Sequence, residues 1–230
     1  MLPPYPFIEL FPELKGKRIV LCSASPRRKQ LLDQVGLQVE CITSDFPENI
    51  DKDSVTPWEY VSKTATGKAL AVYERICDDK KEPSLLIAAD TVVLCGHKIM
   101  EKPKNQADQL EMLKRLRAEP EGGHRAITAV CIITPDDEMP VAPGYVLKTH
   151  VEETTVVFDS ELSDDLLLSY VQSGEGLDKA GGYGIQGQGA ILIKRILGDH
   201  GAVVGLPLNA TYRLIQSVLN YDIYAEEINL

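Results

Sequence analysis

Long apolar runs are missing from this 230-residue chain. A helix that spans a bilayer needs about 18 or more consecutive apolar residues, so no membrane span is expected. Cysteine is sparse and unpatterned. Cys22, Cys41, Cys77, Cys95 and Cys131 are odd in number, form no C-x-x-C pair and have no matching histidine cluster. That excludes a disulfide framework and reads as reduced thiols. Cys22, Cys41, Cys95 and Cys131 lie in or beside apolar runs, where a free cysteine behaves as a small hydrophobe. His97, His124, His150 and His200 are too dispersed for a zinc spacing. The leading MLPPYPFIEL has neither a basic start nor a long apolar stretch, and Pro3, Pro4 and Pro6 interrupt any helix. No secretory signal is therefore expected there, and the expected location is cytoplasmic. Positive charge is scarce too: 24 Lys plus Arg against 34 Asp plus Glu leave a formal net charge of −10. Such a field opposes polyanions, so nucleic acid is not an expected partner. A small anion remains compatible, because clustered cations or a bound divalent metal reverse the potential inside one cleft.

What is present is ordinary for a globular protein, with 44% hydrophobic and 25% charged residues. These values exclude disordered, collagenous and coiled-coil classes. Arg18 to Cys22 reads as a buried strand, followed by a helix that starts at Pro26 behind Ser25 and stops at Gly36. Leu37 to Thr43 reads as a strand, Thr56-Pro57 opens a long helix through Ile76, and Leu85 to Cys95 is a strand again. Asn105 caps a helix from Gln106 to about Arg117. Ala126 to Thr134 and Val146 to Phe158 read as an antiparallel pair across a proline-rich loop. Ser163 begins a helix through Val171, Ala190 to Ile196 is a strand, 198–201 a turn, and Pro207 to Leu219 a closing helix. This order predicts an α/β architecture, a two-lobed mixed sheet flanked by helices. Residues 1–17 read as an N-terminal extension and 18–230 as a single domain.

The segment Ser23-Ala24-Ser25-Pro26-Arg27-Arg28 places two hydroxyls, free helix N-terminal amides and two guanidiniums just after a strand. That is the chemistry of a phosphate cradle. The helix dipole disfavours Arg27 and Arg28 in a first turn unless an anion sits with them. A capped surface helix with two solvated arginines is the alternative. Asp90 interrupts the apolar run LLIAADTVVLC. Buried, it needs a cation, a metal or a catalytic role; a strand ending at Ala89 would leave it in a turn instead. Lys68, Lys102 and Glu48, taken singly, read as surface residues. Gly174 to Gly189 holds seven of the 17 glycines, a density that suggests a backbone wrapped closely round something. Its G-x-G-x-x-G match at 182–187 fails as a dinucleotide fingerprint, because a helix precedes it and the β-rich AILIKRI follows. No G-x-x-x-x-G-K-[ST] loop and no G-x-S-x-G elbow occurs.

Taken together, these segments resemble the Maf family of nucleoside triphosphate pyrophosphatases. The resemblance rests on seven motifs in order: S-x-S-P-R-R at 23–28, the Glu48 of FPENID, Lys68-Ala69, ADTVV at 89–93, EKP at 101–103, LDKAGGYGIQG at 177–187 and VVGLPL at 203–208. It spans about Lys17 to Leu219. It implies the two-lobed fold shared with inosine triphosphate pyrophosphatases, with a nucleotide in the cleft between lobes. It implies further that Ser23, Arg27, Arg28, Lys68 and Lys102 hold the triphosphate and that Glu48 holds a divalent metal cation, Mg²⁺ or Mn²⁺, with Asp90 serving as base, as a second metal ligand or as both. As base, Asp90 takes a proton from the water attacking the α-phosphorus. Four cations nearly balance a triphosphate of charge about −4, the metal supplying the remainder.

Branches of the family differ at three positions, and here these read Arg27, Thr91 and Gln186, the combination of the dTTP and UTP branch. The branch acting on 7-methyl-GTP carries Trp, Gln and Glu there. A Gln offers a donor and an acceptor to a pyrimidine edge, whereas a Glu offers only acceptors. Glu175, Asp178 and Lys179 either order the glycine-rich loop or form structural ion pairs. The implied partner is a pyrimidine nucleoside triphosphate, with CTP and modified pyrimidines as further candidates, and the implied assembly is a homodimer. Two other functions compete. One is a nucleotide-binding regulator of cell division without turnover, as the family's older name of septum-formation inhibitor implies; Glu48 and Asp90 count against it, since a sensor needs the cations but not the acids. The other is a purine-selective pyrophosphatase of the same fold.

Overall fold

A computed structural model of the chain describes residues 11–52, 54–119, 123–140 and 142–219. Seven strands form one mixed sheet in the order β2-β1-β3-β5-β6-β7, with β4 paired to a further part of β3. Strands β1 (Ile19–Leu21), β2 (Glu40–Cys41) and β3 (Leu85–Cys95) run parallel. Strands β4 (Lys98–Met100), β5 (His124–Pro135), β6 (Tyr145–Phe158) and β7 (Ile193–Leu197) add antiparallel pairings. Helices α1 (Pro26–Gln34), α2 (Pro57–Ile76), α3 (Gln106–Arg117), α4 (Asp164–Gln172), α5 (His200–Val204) and α6 (Leu208–Leu219) flank the sheet. Local chemistry starts most of these helices. A complete capping box joins Thr56 and Glu59 at α2, and the side chains of Asn105 and Ser163 cap α3 and α4. Ser25 stands at the α1 N-cap, but its side chain makes no capping bond.

Strand β3 divides the core. Leu85, Ile87 and Ala89 join a cluster with Leu31 and Leu32 of α1 and Ile215 and Val218 of α6. Leu86, Ala88, Val92 and Leu94 join Val61, Ala65, Ala69 and Val72 of α2. Farther along, Val93 and Cys95 belong to a third cluster with Leu113 and Leu116 of α3 and Leu167 and Tyr170 of α4. Side chains alternate faces along a strand. Asp90 and Thr91 therefore point to opposite faces at the junction between the α1/α2/α6 lobe and the α3/α4 lobe. Register explains why a cleft opens there. Strand β1 pairs with 85–87 and β4 with 93–95, so 88–92 has no strand on that edge among the described residues. On the other edge β5 covers the strand from 86 to 94.

Several local expectations change. Residues 198–201 read as a turn, yet His200–Val204 is a helix, because the Asp199 carboxylate accepts the Ala202 N–H at 2.7 Å. The strand expected from Ala190 begins at Ile193, since 187–192 form a 3-10 turn. The strand expected over 37–43 pairs only at 40–41, which leaves Cys41 exposed rather than buried. Strand β4 forms as the hairpin partner of β3 and is too short to be read from its own pattern. Phe11 and Leu14 pack into the first cluster, with the Phe11 ring 5.4 Å from that of Tyr212. Residues 1–10 of the expected extension, and 220–230, lie outside the described residues. No helix among the described residues is long and apolar enough to cross a membrane.

Candidate active site

The cleft at the lobe junction encloses about 620 Å³. Ser23, Arg27, Arg28, Glu48, Lys68, Asp90, Thr91, Lys102 and Gln186 all line it. They arrive from the β1–α1 turn, the loop before α2, α2 itself, β3, the segment after β4 and the glycine-rich stretch.

Asp90 is its centre, only 7% exposed. The Lys68 ammonium donates to Asp90 Oδ1 at 2.8 Å and pairs with Glu48 Oε1 at 2.8 Å. Lys68 reaches the sheet because it stands in the buried stripe of α2, one turn beyond Thr64 and one before Val72. Glu48 reaches Lys68 because Gly67 lets its loop close on the helix: a Cβ there would lie 2.4 Å from the Phe46 ring. Burial raises the Asp90 carboxyl above its ordinary value, opposed by Lys68 and then by Arg28. Asp90 Oδ2 makes no hydrogen bond among the described residues. The site thus holds a buried carboxylate of enhanced basicity with one oxygen available.

The β1–α1 turn supplies the cradle. Ser23 Oγ accepts from Ser25 N at 3.1 Å and from Arg28 at 3.2 Å. Arg28 also donates to the Gly205 carbonyl at 2.8 Å and to Thr91 Oγ1 at 3.2 Å. Thr128 spends its one proton on the Ala202 carbonyl at 2.7 Å, so in the 2.9 Å Thr91–Thr128 contact Thr91 is the donor. Thr91 is therefore both donor and acceptor within the protein. Arg27 pairs with Asp178 at 2.9 Å across the cleft mouth. Neither arginine is a solvated surface residue, and the reading of 23–28 as a plain capped helix falls. Burial lowers the Arg28 pKa, opposed chiefly by Asp90; a guanidinium remains charged regardless.

The cleft also collects Lys52, which carried no local signal. Lys52 and Glu101 form an ion pair, and the Lys52 ammonium stands 5.4 Å from the centre of the Tyr60 ring. Glu101 belongs to the EKP motif, but the 49 residues between it and Lys52 hide the pairing. Lys179 pairs with Asp178 at 2.6 Å, while Glu175 accepts amide hydrogens from the glycine-rich loop. Both readings of that acidic segment hold, for different residues. In total six cations (Arg27, Arg28, Lys52, Lys68, Lys102, Lys179) face four carboxylates (Glu48, Asp90, Glu101, Asp178). The four cations counted from sequence undercount both signs, and the net is +2. A triphosphate of about −4 is then short by about two charges, one divalent ion. Cys22 lines the cleft as well, but burial pushes its thiol up to about 12, too high for a nucleophile.

Among the described residues no group of three or more His, Cys, Asp or Glu forms a preformed metal cage. The donor set still fits a divalent ion. Glu48 and Asp90 are hard oxygen ligands that already converge on one positive group, the Lys68 ammonium. Mg²⁺ is commonly held by one or two carboxylates together with water and substrate phosphate oxygens.

Comparison with known proteins shows the family. A family model described as Maf-like protein matches residues 18–218. A Schizosaccharomyces pombe protein named dTTP/UTP pyrophosphatase is 49% identical over 218 residues, covering 91% of this chain and 90% of that protein. A Ruminiclostridium cellulolyticum protein of the same name is 38% identical, covering 88% of this chain and 96% of that one. A human protein named "Probable bifunctional dTTP/UTP pyrophosphatase/methyltransferase protein" is 44% identical over 86% of this chain, which spans 31% of its length. With a family model covering nearly the whole described chain and a relative 49% identical over 90% of its length, the chain belongs to the Maf family.

Proposed function

We propose that this chain is a cytoplasmic, metal-dependent nucleoside triphosphate pyrophosphatase that converts dTTP and UTP to the nucleoside monophosphate and pyrophosphate. The relatives' names support the reaction class and the substrates. The observation that carries the chemistry is the buried Asp90 carboxylate held at 2.8 Å by Lys68, with Glu48 on the same ammonium. Asp90 takes a proton from the water that attacks the α-phosphorus. Burial makes it a stronger base than an exposed carboxylate, and Lys68 keeps it ionised. Ser23, Arg27, Lys102 and the α1 N-terminal amides receive the phosphate oxygens, and Arg27 exchanges Asp178 for phosphate as substrate enters. Arg28 holds Ser23, Thr91 and Gly205 together and turns its remaining N–H groups to the anion. Glu48 and Asp90 are the residues that would hold a divalent cation; when bound, it supplies the charge that the cleft lacks against a triphosphate. Gln186 reads the base. Its amide can turn either oxygen or NH₂ outward, so CTP and modified pyrimidines are further substrates in this proposal. Residues 18–230 act as one catalytic domain, and Phe11 and Leu14 ahead of it pack onto its core.

The test is pyrophosphate release by purified protein with Mg²⁺ or Mn²⁺ from dTTP, UTP, ITP and 7-methyl-GTP. Asp90→Asn is expected to lower kcat by about 10²–10⁴-fold, the usual worth of a general base, with dTTP binding little changed. An Asp90→Asn protein as fast as wild type removes Asp90 as the base. No release from any pyrimidine triphosphate removes the function itself.

A further inference from the structure

We infer that Glu175 and Tyr170 form a positioning pair that sets base selectivity by fixing the backbone that carries Gln186. The inference rests on the pyrimidine triphosphate reading above and deepens it. Gln186 lines the cleft as an exposed residue, and its side chain makes no hydrogen bond among the described residues. Its placement is therefore set by its backbone. Two groups hold that backbone. Glu175 Oε2 accepts from Gln188 N at 2.8 Å and Oε1 from Gly189 N at 3.0 Å. The Tyr170 hydroxyl donates to Glu175 Oε1 at 3.2 Å and accepts from Gly184 N at 3.1 Å. Both ends of 184–189 are thereby tied to the end of α4, with Gln186 between the ties.

The anchor is rigid. Tyr170 is 2% exposed and packed in the third core cluster, and the Glu175 carbonyl accepts from Lys179 Nζ. The fit is also close. Gly187 has φ of 76°, and a Cβ on it would lie 2.7 Å from Glu175 Oε2, so the carboxylate sits directly on the backbone it bonds. Hydrogen bonds to an ionised carboxylate are about twice as strong as neutral ones. A glutamine at 175 offers one acceptor oxygen where two are used. Selectivity is a difference of affinities. Releasing this loop removes a contact that a pyrimidine makes with Gln186 and costs little to a base that makes none.

The experiment compares wild type, Glu175→Gln and Tyr170→Phe; the second removes only a hydroxyl and preserves core packing. For each, kcat and KM are measured with UTP, the inhibition constant of ITP against it, and amide hydrogen exchange over 184–189. Both variants are expected to lose about tenfold in kcat/KM for UTP, mainly through KM, the mark of a lost binding contact. The ITP constant is expected to stay within about threefold, so discrimination narrows. Exchange over 184–189 is expected to speed up. Equal losses for UTP and ITP overturn the selectivity role, because a merely structural defect weakens every nucleotide alike. Unchanged exchange in both variants overturns the clamp. A wild type that hydrolyses no pyrimidine triphosphate overturns the proposed function instead, while the exchange measurement still decides the clamp.

Discussion

Replacing Lys68 with methionine removes an ammonium and keeps most of its stem in the buried stripe of α2. At 2.8 Å and an effective dielectric of about 20, the Lys68–Asp90 attraction has a ceiling of about 6 kcal/mol. Carboxylates beside an opposite charge move by about 1–3 pKa units. The direction is fixed: burial already raises Asp90, and losing Lys68 leaves chiefly Arg28 to oppose it. A general base must be ionised to act. The acid limb of the kcat/KM profile should therefore move to higher pH by about 1–3 units in Lys68→Met. Loss of a triphosphate contact scales the whole curve down without moving its midpoint, so the two roles of Lys68 separate in one experiment. Stability gives an independent reading with its own sign. In the variant, folded Asp90 keeps its proton to higher pH than the unfolded chain does. The variant is thus least destabilised below the unfolded carboxyl pKa and loses stability as pH rises toward the folded value. The assay is pyrophosphate release from about pH 5 to about pH 10, with urea unfolding near both ends. Equal midpoints in wild type and Lys68→Met would refute the role of Lys68 in tuning Asp90.

Two further predictions concern packing and buried charge. Gly67→Ala gains about 1 kcal/mol of helix propensity on paper, but its Cβ would lie 2.4 Å from the Phe46 ring. Overpacking costs about 1–3 kcal/mol, so net destabilisation and lower turnover from a displaced Glu48 are expected in melts and rate assays. A stabilised, fully active Gly67→Ala would show that the Phe46 contact does not place Glu48. His124 is buried at 2.7 Å from the Tyr183 hydroxyl, and burial lowers its pKa to about 3. The unfolded chain takes up a proton near pH 6.5 that the folded chain refuses. Stability should therefore fall with pH by about 2 kcal/mol between about pH 7 and about pH 5 from this residue. Urea unfolding of His124→Phe should show less of that fall; an identical slope in both proteins means that other groups carry it.

Much of this protein was legible along the chain wherever one segment contains its own cause. The capping box at Thr56 and Glu59, the cap at Asn105 and the apolar run of β3 are local, and each appears where the sequence places it. Asp90 was conspicuous for the same reason, a single carboxylate in an apolar strand, and the motifs from Ser23 to Leu208 carried the family. Elements whose cause lies elsewhere were misread. Strand β4 exists because β3 pairs with it; helix α5 has a local cap in Asp199 but is so short that its segment looks like a turn.

The site itself belongs to the second kind. Lys68, Glu48, Lys102 and Gln186 are bland on their own segments, Lys52 is silent, and Glu101 shows only within its EKP motif. Which carboxylate neutralises which cation depends on distances between elements far apart in the chain, such as the 151 residues between Arg27 and Asp178. Sequence alone determined which residue types were present and which local elements they favour, because backbone propensity and capping act over a few residues. Tertiary structure alone decided that β1 ends and β4 begins on either side of 88–92, so that the cleft opens at Asp90. Strand register is settled by packing of whole faces against distant helices, and no single segment carries that information.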